Sequence, residues 1–311
     1  MTDTNYINGM IAVKEKRLLG EKLLRFTEMT AQEVLRALTE SGFGGDGQDA
    51  ESVCNAEELA LDDFIREYAP SKAAKTYLLA PYDFHNAKAL CKAELLHTDA
   101  EAMLAPEGLI PIEKLTAAIT DRNYDLLDGE MAKAVKTVLE TEGISGAEIG
   151  VQFDNAMYRY LLSALKWNPF LKKMLVKKAD CENILTVFRS KTPEQAAALF
   201  VQGGKLSEKE LCKLFEQDAS VNAFKGTAYE QFYSLCLRAR DRGLPLTEAE
   251  RYLESYEAEY FRAWKYELEG KEPFLYYVFR RRAEIKNVRI ILVCLNAGLS
   301  AHEIRKRLRA I

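Results

Sequence analysis

Asp180-Cys181-Glu182-Asn183, continued by the apolar positions Ile184, Leu185, Val187 and Phe188, is the stretch on which the reading of this 311-residue chain turns. Asparagine is a poor helix-interior residue, costing several tenths of a kcal/mol relative to alanine. The acid-x-x-Asn pattern nevertheless returns as Asp83-Phe84-His85-Asn86 and as Glu284-Ile285-Lys286-Asn287, at spacings of 97 and then 104 residues. An unfavourable residue at the same place three times predicts a tertiary hydrogen bond, with the asparagines reaching a loop carbonyl inside each unit. A second reading makes the acids helix N-caps, where Asp is common. That reading is weakest for Glu284, because Phe274 to Asn296 reads as one continuous helix.

Working outward, each signature is followed by a capping-box pattern: Thr98 with Glu101, Thr192 with Gln195, and Ser300 with Glu303. In such a box the hydroxyl accepts from the third amide of the helix while the third side chain returns to the cap amide, so each pair predicts a new helix start. Two joints are also alike, Gly108-Leu109-Ile110-Pro111-Ile112-Glu113-Lys114-Leu115 and Gly204-Lys205-Leu206-Ser207-Glu208-Lys209-Glu210-Leu211. The chain therefore divides into three similar helical domains, 1–107, 108–203 and 204–311, and an internal repeat of this length predicts a pseudo-threefold body.

The rest of the sequence has helical spacing. Phe153, Met157, Tyr160, Leu161, Ala164 and Leu165 form one stripe, Ile285, Val288, Leu292 and Leu295 another, and Ile304, Leu308 and Ile311 a third. Strand alternation flanking an Asn-Gly or Asp-Gly turn is not found. Breakers at 41–47, 105–108, 202–204 and 242–245 read as loops. The fold class predicted is all-α.

Composition bounds the function. A chain 48% apolar and 29% charged has material for a substantial core, and a net charge of −4 offers no global basic field for nucleic acid. The longest apolar stretches, such as Ile290 to Leu295, fall far short of the ~20 residues that span a bilayer. The opening Met1-Thr2-Asp3-Thr4 has no charged-then-apolar leader, so a cytoplasmic location and no direct membrane span are expected. Six scattered cysteines without a Cys-x-x-Cys read as reduced and structural. His85, Cys91 and His97 step by six residues, about 240° on a helix, and so point apart rather than toward one metal.

No motif completes a catalytic set. Asp62-Asp63 resembles half of a diphosphate-binding aspartate box, but Arg66 stands where the next carboxylate should be, and the pair reads as a solvated acidic face. The glycines at 42, 44, 45 and 47 lack the Lys-Ser/Thr of a phosphate loop and read as a flexible surface loop. No catalytic residue, cofactor-binding residue or metal ligand is assigned, and no enzyme activity is expected. Charge clusters remain. Nine Lys/Arg lie between Arg280 and Ile311 against Glu284 and Glu303; Lys166, Lys172, Lys173, Lys177 and Lys178 form a second group; Glu248 to Glu259 is acidic. These are either solvated helix faces or docking surfaces for partners of opposite sign.

Several of these segments together resemble one family. Tyr82 to Leu95, Asp154-Asn155-Ala156-Met157-Tyr158, Arg282 to Ile291, and the opening Tyr6-Ile7-Asn8 with Lys16-Arg17-Leu18-Leu19 are similar to the C subunits of bacterial and archaeal V/A-type ATPases, relatives of the eukaryotic d subunit. The resemblance spans essentially the whole chain. It implies a funnel of three helical domains in the central stalk, monomeric alone, with the shaft subunits on one face and the membrane rotor ring on the other. It also implies a peripheral position on the cytoplasmic side of the membrane. The glycine-rich loop and the charge clusters have no counterpart in that resemblance. A helical scaffold of another complex is the competing reading.

Overall fold

A computed structural model describes residues 4–216, 222–267 and 270–309. Ile311 of the third stripe and the opening Met1-Thr2-Asp3 lie outside the described residues. Fifteen α-helices and no strand occur among those described. The chain resolves into two compact units, one formed by residues 1–72 with 254–311 and the other by residues 73–253.

The first unit holds α1 (Thr4–Glu15), α2 (Lys22–Phe26), α3 (Ala31–Glu40) and α4 (Ala50–Tyr68) from one end of the chain. From the other end come the last part of α13 (Thr247–Arg262), then α14 (Glu272–Asn296) and α15 (Ala301–Arg305). The sequence dictates the central member. Residues 273–279 of α14 are buried on every side, and Ile285, Val288, Ile291 and Leu292 continue the burial. A helix apolar all round must lie inside the packing. It packs chiefly against α4, where Phe64 stacks on Phe274 with ring centroids 5.3 Å apart.

The second unit is built on two long helices, α5 (Lys72–Leu96, within the unit from Ala73) and α9 (Pro169–Arg189). Around α5 lie α6 (Ile112–Thr120), α7 (Gly129–Glu140) and α8 (Gly146–Ala164), whose core joins Phe84, Cys91, Leu115, Met131, Val135 and Phe153. Around α9 lie α10 (Pro193–Ala197), α11 (Glu208–Cys212), α12 (Glu230–Asp241) and the start of α13. There Ile184, Leu211, Phe224, Phe232, Cys236 and Ala249 close a second core. Of the stripe read from Phe153 to Leu165, only Ala164 faces solvent, where α8 reaches its last turn.

Helix starts follow their hydroxyls with one exception. Ser300 and Glu303 form the reciprocal box. Thr192 accepts from the Gln195 amide, but the Gln195 side chain accepts from Lys191 rather than from Thr192. The box expected at Thr98 does not form. Asp99 Oδ1 takes the Glu101 amide at 2.9 Å and only a single 3-10 turn, Glu101–Met103, follows. A carboxylate one residue nearer to that amide displaces the hydroxyl, and Thr98 itself closes the end of α5 through its amide to Ala93.

Candidate functional site

The three acid-x-x-Asn signatures lie inside long helices, so their acids are not N-caps. Asp83 and Asn86 are on α5, Asp180 and Asn183 on α9, Glu284 and Asn287 on α14, and all six are buried. Each asparagine carboxamide pairs with both backbone groups of one residue in the segment that follows the helix. Asn86 Nδ2 donates to the Ala105 carbonyl and its Oδ1 accepts the Ala105 amide, both at 2.8 Å. Asn183 does the same with Val201 at 2.9 and 2.8 Å, and Asn287 with Arg309 at 3.1 and 2.7 Å. A primary amide presents a donor and an acceptor side by side, the complement of one extended residue. The helix-breaking cost of asparagine is thereby offset by satisfying two buried backbone groups.

One turn earlier, the acids of the first two signatures each receive a pair of amides. Asp83 Oδ1 accepts from Leu109 and Ile110 at 2.8 and 2.9 Å. Asp180 Oδ1 accepts from Lys205 and Leu206 at 2.7 and 2.9 Å, while its Oδ2 takes the Tyr229 hydroxyl at 2.5 Å. These amides belong to the two like joints, and their glycines have a steric reason. A Cβ built at Gly108 or Gly204 would fall on the carboxylate oxygen of Asp83 or Asp180, so only glycine lets the backbone come this close. Glu284 departs from the pattern: its Oε1 accepts from Gly20, 264 residues away in sequence, and its Oε2 receives Arg281 at 3.2 Å.

Arg281 ties this third clamp into a network. Its other nitrogen meets Glu57 Oε2 at 2.5 Å, and Glu57 Oε1 accepts the Gly44 amide at 2.7 Å. The middle of the glycine-rich loop is packed while its flanks stay on the surface: Phe43 and Gly44 are buried, Gly42, Gly45 and Asp46 are exposed, and the Arg281 guanidinium lies over the Phe43 ring. Gly44 and Gly47 are needed because a side chain at either would collide with Val53. Ser41–Phe43, Lys14, Arg17, Phe64, Tyr277 and Arg281 rim a cavity of about 150 Å³ beside it.

Several cations of the C-terminal basic cluster are paired within the chain. Arg289 forms two bonds to Glu58, Arg305 pairs with Glu28, and Lys286 and Arg309 converge on Glu254. The sequence allows a solvated face or a docking surface there; Lys286 and Arg305 stay exposed while paired, as on a solvated face laced with ion pairs. The acidic stretch is likewise engaged, with Glu250 on Arg189 and Glu248 on Arg238. Asp62 is buried and bound by Arg66 at 2.5 Å, which removes it from the solvated pair read with Asp63. Among the described residues no group of acidic, histidine and cysteine side chains could hold a metal ion. Burial raises the thiols, Cys54 to about 11 and Cys91, Cys181 and Cys236 to about 12, which keeps them protonated and unreactive. His85 bonds the Met103 carbonyl through Nε2.

Sequence reasoning missed Gly20, Glu57, Arg281 and Tyr229 as clamp members. For Tyr229 and Gly20 no spacing rule points to the contact. Gly108 and Gly204 did leave a signal, the likeness of the two joints, without revealing that the acid one turn before each asparagine was what they approached.

No described helix is long and apolar enough to cross a membrane. The model of the ATP synthase (C/AC39) subunit family matches residues 7–307. The chain is similar to the C subunit of the V-type sodium ATPase of Enterococcus hirae, 22% identical over 281 residues, covering 86% of this chain and 84% of that protein. It is similar also to the C subunit of the A-type ATP synthase of Methanocaldococcus jannaschii, 22% identical over an alignment of 346 residues, with 97% and 85% covered.

Proposed function

Because the chain belongs to the ATP synthase (C/AC39) subunit family, we propose that it is a non-catalytic central-stalk subunit of a V/A-type rotary ATPase. It joins the rotating shaft to the membrane rotor ring, so that ATP hydrolysis or synthesis is linked to movement of protons or sodium ions. The observation that carries this reading is the family match along nearly the full chain, supported by relatives named as the C subunits of a sodium ATPase and of an ATP synthase. Its partners are then the shaft subunits and the ring, and its place is peripheral, on the cytoplasmic side.

The clamps suit that task. A part that transmits torque has to keep its inter-helix segments from yielding, and buried polar contacts that are fully paired rigidify a structure while penalising rearrangement. Recurrence of the same asparagine pairing on α5, α9 and α14 supports three similar domains, 1–107, 108–203 and 204–311, about a pseudo-threefold axis. On this reading the anchors Asp83, Asn86, Asp180, Asn183, Glu284 and Asn287 act through stiffness and touch no substrate.

The test is association and coupling. The purified chain is expected to bind the shaft subunits of its own organism at micromolar concentration and to hydrolyse no ATP alone. Cells lacking it are expected to retain ATP hydrolysis in the soluble head but lose ion pumping into membrane vesicles. Absence of shaft binding together with intact pumping would reject the proposal.

A further inference from the structure

The hairpin tip between α8 and α9 has a chemistry found nowhere else in the chain. From Asn155 to Ala179 there are six cations, Arg159, Lys166, Lys172, Lys173, Lys177 and Lys178, and no carboxylate, although the whole protein carries net charge −4. Arg159 is held by Glu130 at 2.6 Å, and Lys177 and Lys178 are half-buried. Lys166, Lys172 and Lys173 are exposed and have no ion-pair partner among the described residues. Trp167 stands at the apex, 87% exposed, with the Lys166 ammonium 5.2 Å from its ring centroid. Full exposure of a tryptophan leaves its large apolar area in water, a cost that a native surface carries where something covers the ring.

A tryptophan ringed by lysines fits one class of partner closely. Indole rings settle at the headgroup level of a bilayer, where the apolar body and the polar N–H are both satisfied, and lysines beside them are drawn to anionic lipids. We propose that the Lys166–Lys173 tip is a contact site for an anionic membrane surface, with Trp167 seated among the headgroups and Lys166, Lys172 and Lys173 over lipid phosphates. The site lies wholly in the second unit and does not depend on the shaft-coupling reading.

The other unit supplies a built-in comparison. Its turn into α14 carries the second of the chain's two tryptophans, Trp264, with Tyr266 79% exposed beneath Lys265. There Glu267, Glu269 and Glu272 offset Lys265 and Lys271 within the same stretch. The aromatic element is retained and the basic field is not.

With only two tryptophans, fluorescence reads each turn separately in the full-length chain. In the Trp264→Phe variant, Trp167 emission is expected to shift to the blue and to be quenched by brominated acyl chains on vesicles of phosphatidylcholine with phosphatidylglycerol. Vesicles of phosphatidylcholine alone, or molar salt, which shortens the Debye length to about 3 Å, should largely abolish the response. Each of Lys166→Gln, Lys172→Gln and Lys173→Gln should weaken vesicle partitioning by about fivefold, the equivalent of ~1 kcal/mol per basic residue at such a surface. In the Trp167→Phe variant, Trp264 emission should stay unchanged. Unaltered Trp167 emission on the anionic vesicles would overturn the assignment and hand the surface to a protein partner. A response equal on neutral vesicles and insensitive to salt would overturn it as well. Failure of shaft binding with a positive vesicle result would reject the coupling reading while leaving this site standing.

Discussion

The clamp on α9 and the clamp on α14 perform the same operation with different means. Asp180 holds two successive amides and a phenol, with no ion pair among the described residues. Glu284, one methylene longer and wholly buried, holds one amide and leans on Arg281, which in turn needs Glu57. Where the chain supplies a following joint with its glycine, a short carboxylate and backbone dipoles are enough. On α14 the amide comes from Gly20 instead, and the remaining charge is balanced by a guanidinium. The asparagine half is unchanged in both, because a carboxamide matches any extended residue irrespective of which segment brings it.

The sharpest way to break the comparison is Arg281→Met. It leaves buried Glu284 and largely covered Glu57 without their cation and is expected to cost roughly 3–5 kcal/mol, measured by denaturant unfolding of the protein. Adding Glu57→Gln and Glu284→Gln should recover part of the loss. Next comes Asn183→Leu, which strands the amide and carbonyl of Val201 and should destabilise the second unit by roughly 1–3 kcal/mol. A melting temperature unchanged by this substitution would show that the carboxamide only fills space. Smaller again is the difference between two hydroxyls that look alike in sequence. Ser300→Ala should cost about 1 kcal/mol through loss of a formed cap, whereas Thr98→Ala should fall within ~0.5 kcal/mol of the parent.

Those two hydroxyls mark where the sequence is legible. Helical class and the three signatures can be read because periodicity and a misplaced asparagine are local features. The partners of Asn86 and Asn183 are within reach too, since a loop some eighteen residues on must pass the same helix. Thr98 cannot be judged by pattern alone, because Asp99 competes for the same amide with a shorter lever. The basic residues after Arg280 read as a surface because their partners, Glu28, Glu57 and Glu58, come from the opposite end of the chain. The acidic Glu254 is no nearer in pattern, sitting on a helix that looks uniformly charged.

The smallest expected effect concerns pH in the second unit, which has an ion pair of ordinary surface type for contrast with the buried network of the first. The hydrogen bond from Arg159 is the leading cause that holds Glu130 below the usual carboxylate value of 4.5, and Lys133 adds to it. A folded pKa lowered in this way contributes stability above the unfolded value, and that contribution is lost as pH falls through the lowered one. Glu130→Gln should therefore flatten the decline in stability below about pH 4.5, by a few tenths of a kcal/mol given the exposure of both side chains. Chemical denaturation repeated at several acidic pH values would read it.

The bond from Gly20 to Glu284 also sets an order in time. Residues 73–253 form a unit from continuous chain and can complete it while synthesis proceeds, whereas residues 1–72 belong with a segment that begins only at Glu254. At about 5–20 residues per second on the ribosome, the first seventy residues wait roughly ten to forty seconds for their partner helix. During that interval the faces of α3 and α4 that pack on α14 lack that helix. The part of this unit that precedes residue 73 is thus finished only after the other unit, and its nascent form is where a chaperone has the most to shield.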